Sequence, residues 1–294
     1  KVFESVDFEN IDFVYAKGFA GWKYMEEKRK NSKLPPIGVK FHGYEMYQEL
    51  PTIKQKIEAK ILRKATKWNN ENADVIFSYG GKITKLITDK IGVCRDQIVE
   101  FTSGLDSDWL RSSDVQRPNL IYKFVFVGRN ETRKGINELN QSIRELIKVN
   151  KNFQFSFVGP IPMESQINAS QVTYVGELNT KESICQILDA ADVLVCPSHA
   201  EGMPNVILEG MARGLAIIAT DVGAVEIIVD GSNGALIPAL DQRALTDALL
   251  KFIQMDAEEL HDRKKSSWQK VNKSYLWEQI AAETIGAIDR LIKN

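Results

Sequence analysis

Two glutamates eight positions apart mark the stretch of this sequence with the most potential chemistry. The stretch reads HAEGMPNVILEGMARG, with Glu201 in a turn and Glu209 in an otherwise small and apolar run. Proline suits the start of a helix and glycine its end, so Pro204 at the first helical position and Gly214 as the stop predict a helix here. Glu209 would then be buried and need hydrogen-bond donors. Sugar hydroxyls of a ligand, an internal arginine or backbone amides would all serve.

A second stretch, FVGRNETRKG, places three cations between a predicted strand and a predicted helix. Arg129, Arg133 and Lys134 would lie at the carboxyl end of the strand, where they could hold an anion beside the helix N-terminus. The stretch is neither a Walker A loop nor a GxGxxG loop. A solvated basic loop is the alternative interpretation.

Two further candidates are weaker when taken singly. His42 directly follows a predicted strand in VKFHGYE, although a lone histidine is more often structural. The sequence DSD, Asp106 to Asp108, resembles a metal-binding DxD motif, but it lies in a predicted turn. We interpret it as structural and infer no metal.

Residues 52–68 predict a basic amphipathic helix. Isoleucines recur at helical spacing at positions 53, 57 and 61 and are surrounded by lysines and Arg63. Such a helix could rest on an anionic lipid surface. A surface helix that turns its apolar side to the core is the commoner explanation.

The composition sets outer limits on function. Hydrophobic residues make up 44% of the 294 residues and charged residues 26%, with a net charge of -1, which argues against bulk nucleic-acid binding. The three scattered cysteines fit a reducing compartment and neither a disulfide framework nor a zinc site. No apolar run reaches the roughly 18 residues of a membrane span. These features together indicate a cytoplasmic protein.

Short β-branched runs alternate with helical patterns almost throughout, which predicts parallel sheets covered on both faces. A polar connector near residues 112–119 divides them into two doubly wound, Rossmann-like domains, 1–115 and 116–274. The first has about four strands and looks incomplete. Ligands of such folds bind beyond the carboxyl ends of the strands. The predicted strands span residues 12–16, 37–41, 74–78, 97–101, 121–127, 153–158, 172–175, 193–197, 216–220 and 235–238.

Several stretches, taken together and in order, resemble the retaining GT-B glycosyltransferases of family 4. The two glutamates of the opening stretch match the family's pair, and Gly128-Arg129 with Lys134-Gly135 match its GR…KG pattern. IVEFTSGLDSDWL is similar to the interdomain stretch, with Ser103 where asparagine is usual. SYLWEQI resembles the start of a C-terminal helix, here 275–294, that crosses back to the first domain. The resemblance runs from about Asp12 to Trp277.

The resemblance implies roles for individual residues. Glu209 would accept hydrogen bonds from the ribose, and Glu201 would face the donor sugar. Arg129 and Lys134 would neutralise the departing diphosphate, and His42 would approach the reaction centre from the other domain. Further contacts to the nucleotide-sugar would come from Gly128, Gly202, Met203, Pro204, Asn205 and, near the base, Leu178.

The implied reaction is sugar transfer from a nucleotide-sugar, with UDP-sugar the expected donor, to a saccharide or lipid-linked acceptor in polysaccharide or glycolipid biosynthesis. Configuration is retained and no metal or other cofactor is required. The family's first domain opens with a strand and a Gly-rich loop that have no match here, so the chain is expected to be N-terminally truncated. A nucleotide-sugar epimerase, a phosphorylase or a non-catalytic nucleotide-sugar-binding module on the same fold are the alternatives.

Overall fold

The chain forms two parallel β-sheets, each covered by helices. The computed structural model describes residues 10–293 except Pro51, Ser113 and Asn150. The first sheet has the order β1-β2-β3-β4 and the second β10-β9-β8-β5-β6-β7, and every strand pairing is parallel. The strands are β1 (Val14–Lys17), β2 (Ile37–Lys40), β3 (Val75–Ser78), β4 (Ile98–Glu100), β5 (Lys123–Val127), β6 (Gln154–Val158), β7 (Val172–Gly176), β8 (Val193–Cys196), β9 (Ala216–Thr220) and β10 (Gly234–Ile237).

All ten predicted strands are confirmed to within two residues, and so is the doubly wound α/β fold class. The β-branched and aromatic runs form strands because both sheet faces are buried under helices. The helices are α1 (Trp22–Lys28), α2 (Ile53–Glu71), α3 (Gly81–Leu86), α4 (Ile136–Lys148), α5 (Lys181–Asp189), α6 (Asn205–Ala212), α7 (Val225–Ile228), α8 (Gln242–Ile253), α9 (Ala257–Ser274) and α10 (Trp277–Lys293).

The last helix, α10, returns to the first sheet. Its Ile280 packs in a buried cluster with Val75 and Phe77 of β3. The chain enters α10 beside the stretch that leaves the first sheet: the Leu105 amide donates to the Tyr275 carbonyl at 2.8 Å, and the Trp277 amide donates to the Leu105 carbonyl at 2.9 Å. The two passages between the sheets are therefore neighbours.

The apolar stripe of α2 faces solvent, so the interpretation that it faces the core is wrong. Ile53, Ile57 and Ile61 are 78%, 58% and 72% exposed. The buried face of the helix instead carries Ala59, Thr66, Asn69 and Asn70. None of the helices in the described residues has both the length and the apolarity to cross a bilayer.

A buried ion pair anchors the second sheet to the connector. Asp192, fully buried just before β8, accepts from the Lys264 ammonium at 2.8 Å and from the Lys123 amide at 3.0 Å. The Asn119 side chain donates to the same carboxylate at 2.9 Å. Burial lowers the pKa of Lys264, and the charge of Asp192 opposes this. One carboxylate thus joins the connector, β5, β8 and α9.

We expect Asp192→Ala to lower the free energy of unfolding by about 3–5 kcal/mol, because it leaves the Lys264 charge buried without its partner. Urea unfolding at pH 7 measures the change. Asp247→Ala, at an exposed position of α8, is the matched control and should cost less than about 0.5 kcal/mol. Equal losses in the two variants would show that the buried pair does not anchor the fold.

Candidate active site

A cleft of about 810 Å³ lies between the carboxyl ends of the two sheets. The first sheet and its loops contribute Lys40 and His42, the second contributes Lys134 and Glu201, and α10 forms a wall. Of the predicted site residues, the structure brings into this cleft His42, Lys134, Glu201, Gly202, Met203, Pro204 and Asn205.

The centre of the cleft is a compact cluster of charges. Glu201 is 8% exposed, and its Oε1 lies 2.7 Å from Lys134 Nζ and 3.4 Å from Arg133 Nη1. Arg133 also donates to the Ala200 carbonyl at 3.0 Å. The loop that carries these cations is fixed to the end of β8, since a Cβ on Gly135 would lie 2.0 Å from the Pro197 carbonyl oxygen. A side chain at position 135 would push the cations away from Glu201.

Arg129 lies outside the cleft lining. Its side chain is 71% exposed and pairs with Glu131 at 3.0 Å. Gly128 does not line the cleft either; its amide donates to the Val158 carbonyl. The cation that accompanies Lys134 in the cleft is Arg133, which the sequence predicted as one of three anion-binding cations and to which the family resemblance assigned no role. The roles of Arg129 and Gly128 stay predictions.

The two halves of the cleft meet in a backbone contact at Gly202. A Cβ on Gly202 would lie 1.6 Å from the His42 carbonyl oxygen, so only glycine fits there. Gln48 clamps the neighbouring residue, because its side chain donates to the Glu201 carbonyl at 2.6 Å and accepts from the Glu201 amide at 3.3 Å. Gln48 is an ordinary polar residue in a loop, so nothing in its sequence context marks it as functional.

Helix α6 runs from this contact into the second half. It begins at Asn205, so Pro204 is its extended N-cap and not the first helical residue as predicted. Ser103 of the interdomain stretch donates to the Asn205 side chain at 2.9 Å. The C-terminal stop at Gly214 is confirmed by its left-handed φ of 76°.

Glu209 lies one turn beyond Asn205 on the same face of α6. It is half-buried, and no side chain among the described residues pairs with its carboxylate. Burial raises its pKa from 4.5 to about 7. Of the partners that the sequence left open for Glu209, an internal arginine is therefore not found among the described residues, and its role as a ligand-binding group stays a prediction. Leu178 packs against the same apolar cluster as Val206 of α6 and Val127 at the end of β5.

One acidic residue of DSD has a protein partner, because Asp108 pairs with Lys181 at the start of α5. Asp106 occupies the N-cap position of a short 3-10 turn, without a side-chain capping hydrogen bond. Within the described residues, no group of three or more His, Cys, Asp or Glu side chains is placed to hold a metal ion.

Residues 122–255, from the start of β5 to the end of α8, match the family model of glycosyl transferases group 1. The putative colanic acid biosynthesis glycosyltransferase WcaL of Escherichia coli K12 is 26% identical over 216 residues, which cover 69% of this chain and 53% of WcaL. The chain spans about half the length of the curated relatives it matches. Residues 122–255 are thus similar in sequence to a glycosyl transferases group 1 domain.

The likeness to solved structures extends over almost the whole chain. Sucrose-phosphate synthase from Thermosynechococcus elongatus superposes with a TM-score of 0.78 at 20% identity, covering 96% of this chain and 74% of that one. HepE from Anabaena, solved with UDP and glucose, superposes with a TM-score of 0.72 at 15% identity, covering 95% of this chain and 77% of HepE. The fold is GT-B.

We expect Glu209→Gln to stabilise the ligand-free protein above neutral pH by on the order of 1–3 kcal/mol. The folded state holds a proton that the unfolded state gives up between pH 4.5 and about 7, so the contribution of this group falls as pH rises through that range. Urea unfolding from pH 5 to pH 8 measures it. Glu283→Gln, at an exposed position of α10, should show no such pH dependence. A Glu209→Gln effect that is constant with pH would contradict the raised pKa.

Proposed function

We propose that this protein is a retaining, metal-independent glycosyltransferase that moves a sugar from a UDP-sugar to a saccharide or lipid-linked acceptor in polysaccharide or glycolipid biosynthesis. The observation that carries the proposal is the cluster of Arg133, Lys134 and Glu201 at the start of α6, opposite His42 in an interdomain cleft. The match of residues 122–255 to the family model of glycosyl transferases group 1 supports it.

The chemistry of transfer needs negative charge stabilised on the leaving diphosphate. Lys134 and Arg133, with the free amides at the N-terminus of α6, offer this without a metal ion. Arg129 would join them only by leaving Glu131. Glu201, engaged by Lys134, would orient the donor sugar. The acceptor hydroxyl would attack from the face of the leaving group and give its proton to the phosphate, which retains configuration.

The nucleotide would extend along α6 away from this cluster. Glu209, which has no side-chain partner in the described part of the chain, would accept hydrogen bonds from two ribose hydroxyls, and Leu178 would lie beside the base. HepE, with the same fold, was solved with UDP and glucose, which supports UDP as the nucleotide. Burial of a polar group without a hydrogen bond costs free energy, so hydrogen bonds from a ligand to Glu209 would contribute favourably to the free energy of binding.

The test is the melting temperature with UDP, GDP and ADP, each with and without EDTA, since binding to the folded state raises it by mass action. We expect UDP to raise it and EDTA to leave the shift unchanged. Lys134→Met and Arg133→Met should weaken UDP binding at least about tenfold, because each removes a charge-assisted contact to the diphosphate. Comparing Arg129→Met with Arg133→Met shows which of the two arginines contributes to UDP binding.

Turnover of UDP-sugars with and without acceptor then separates the alternatives. Release of UDP only with an acceptor supports transfer. UDP-sugar consumed without acceptor would indicate an epimerase, and dependence on free phosphate a phosphorylase. Binding without release from any donor would indicate a non-catalytic module. No shift with any nucleotide would refute the proposal.

We also propose that α2 rests on an anionic membrane surface, which would place the enzyme on the cytoplasmic face. The exposed isoleucines of α2 are flanked by Lys54, Lys60 and Lys64, and both features are required for interfacial binding. The helix adjoins the cleft, because Arg63 donates to the Met46 carbonyl in the loop that follows His42. All three cysteines are free thiols, as in a reducing compartment.

Replacing Ile57 and Ile61 together with serine should weaken binding to phosphatidylserine-containing vesicles at least about tenfold, because each buried aliphatic side chain contributes about 1.5–3 kcal/mol. Vesicle sedimentation measures it. The control replaces Leu120 and Met163, which are exposed elsewhere, with serine. Equal binding by both double variants, or loss of self-association in place of vesicle binding, would rule out the lipid contact.

A further inference from the structure

A second pair of cations lies in the cleft, on the side of the first sheet. Lys17 and Lys40 are the last residues of β1 and β2 and are register partners. Side chains of paired residues in neighbouring parallel strands project to the same face. Both lysines line the cleft. Burial lowers the pKa of Lys40 to about 7, and the charge of Lys17 on the neighbouring strand contributes to this.

Aromatic contacts hold Lys40 in place, but no carboxylate among the described residues pairs with it. The residue is 7% exposed, and its Nζ lies 3.7 Å from the ring centroid of Phe101 and 4.0 Å from that of Tyr79. The ammonium donates weakly to the Phe101 carbonyl at 3.4 Å. An ammonium has three N–H donors, so two have no acceptor in the described part of the chain. The two rings fix the position of the charge and leave its donors available.

The acidic residues of the cleft are not ion-pair partners of these lysines. Glu201 is bound by Lys134. Glu45 is near the Tyr79 hydroxyl, whose pKa is raised by burial and then by the charge of Glu45. Within the described residues, no carboxylate lies within ion-pair distance of Lys17 or Lys40. A buried cation without a counter-ion is costly in free energy unless a ligand supplies the negative charge.

The wall beside the lysines is apolar. Trp277, Ile285 and Ile288 of α10 line the same cleft, and Ile285 is 60% exposed. The lysines come from the first sheet, whereas the diphosphate-binding cations come from the second. This separation favours an anion at Lys40 that belongs to a molecule other than the donor.

We propose that Lys17 and Lys40 form an anion-binding subsite for the acceptor, which therefore carries a phosphate or carboxylate group next to an apolar or amphipathic part. This rests on the proposed function and names the chemical class of its acceptor. The ring-bound Lys40 fixes the anion, and the exposed Lys17 closes over it.

The test is calorimetric titration with two matched probe pairs: glucuronate against glucose, and octyl phosphate against octyl glucoside. The wild type should bind at least one anionic probe more tightly than its neutral match. Lys40→Met and Lys17→Met should each weaken that binding at least about tenfold, because each removes a charged hydrogen-bond donor. Lys148→Met, at an exposed position of α4, should leave it unchanged. The preferred anionic probe shows whether the group is a saccharide carboxylate or a lipid phosphate.

The UDP-induced melting shift of each variant separates this proposal from the proposed function. An unchanged shift in the lysine variants supports an acceptor subsite, and a shift lost as strongly as anion binding would assign the lysines to the donor and overturn it. Equal affinity of wild type and both variants for anionic probes would also overturn it. If UDP fails to stabilise even the wild type, the proposed function fails while the anion comparison still stands. Lys17 is exposed, so its variant carries the test if Lys40→Met does not fold.

Discussion

The contact between Gly202 and the His42 carbonyl is the constraint on which the cleft depends. With 1.6 Å left for a Cβ, the loop after β2 and the loop after β8 touch through their backbones. Main-chain atoms, which have few alternative positions, therefore set the closest approach of the two sheets at this point. Gln48 adds two hydrogen bonds to the next residue. Glu201 and His42 can therefore face one small volume although they belong to different sheets.

Charges in this protein fall into two groups according to how completely they are satisfied. Asp192 and Lys264 are buried, paired and surrounded by further donors; this arrangement holds elements together and leaves nothing for a ligand. Lys40 is buried and Glu209 is half-buried, but neither has a counter-ion among the described residues, and the pKa of each is shifted to about 7. Incomplete pairing is what distinguishes charges available for binding from charges that stabilise the fold.

Most of the fold was predictable from sequence because both sheets are buried on two faces, so their strands appear as unbroken β-branched and aromatic runs. The face of α2 was not predictable in the same way. Helical periodicity reports that apolar residues share a face, but it does not report which face meets the core. Here Thr66, Asn69 and Asn70 face inward and the isoleucines outward.

Positions were predictable where residue type and spacing constrain a helix or strand end, since Glu201 lies in the turn before α6 and Glu209 within that helix. They were not predictable where a side chain's direction depends on a loop. Arg129 and Arg133 lie four residues apart in one loop, and only the folded loop shows that Arg133 reaches Glu201. Lys40 was hidden for another reason, since a single lysine at a strand end carries no signal until its aromatic neighbours are known.

The paired passages at Leu105 and Tyr275 have a mechanical consequence. Because both connections between the halves run side by side and are hydrogen-bonded to each other, they define one hinge line. Rotation of a few backbone dihedrals there would change the width of the cleft while leaving both sheets intact, and α10, packed on the first sheet, would travel with that sheet. The wall formed by α10 would keep its place relative to Lys17 and Lys40 as the cations of the second half approach or recede.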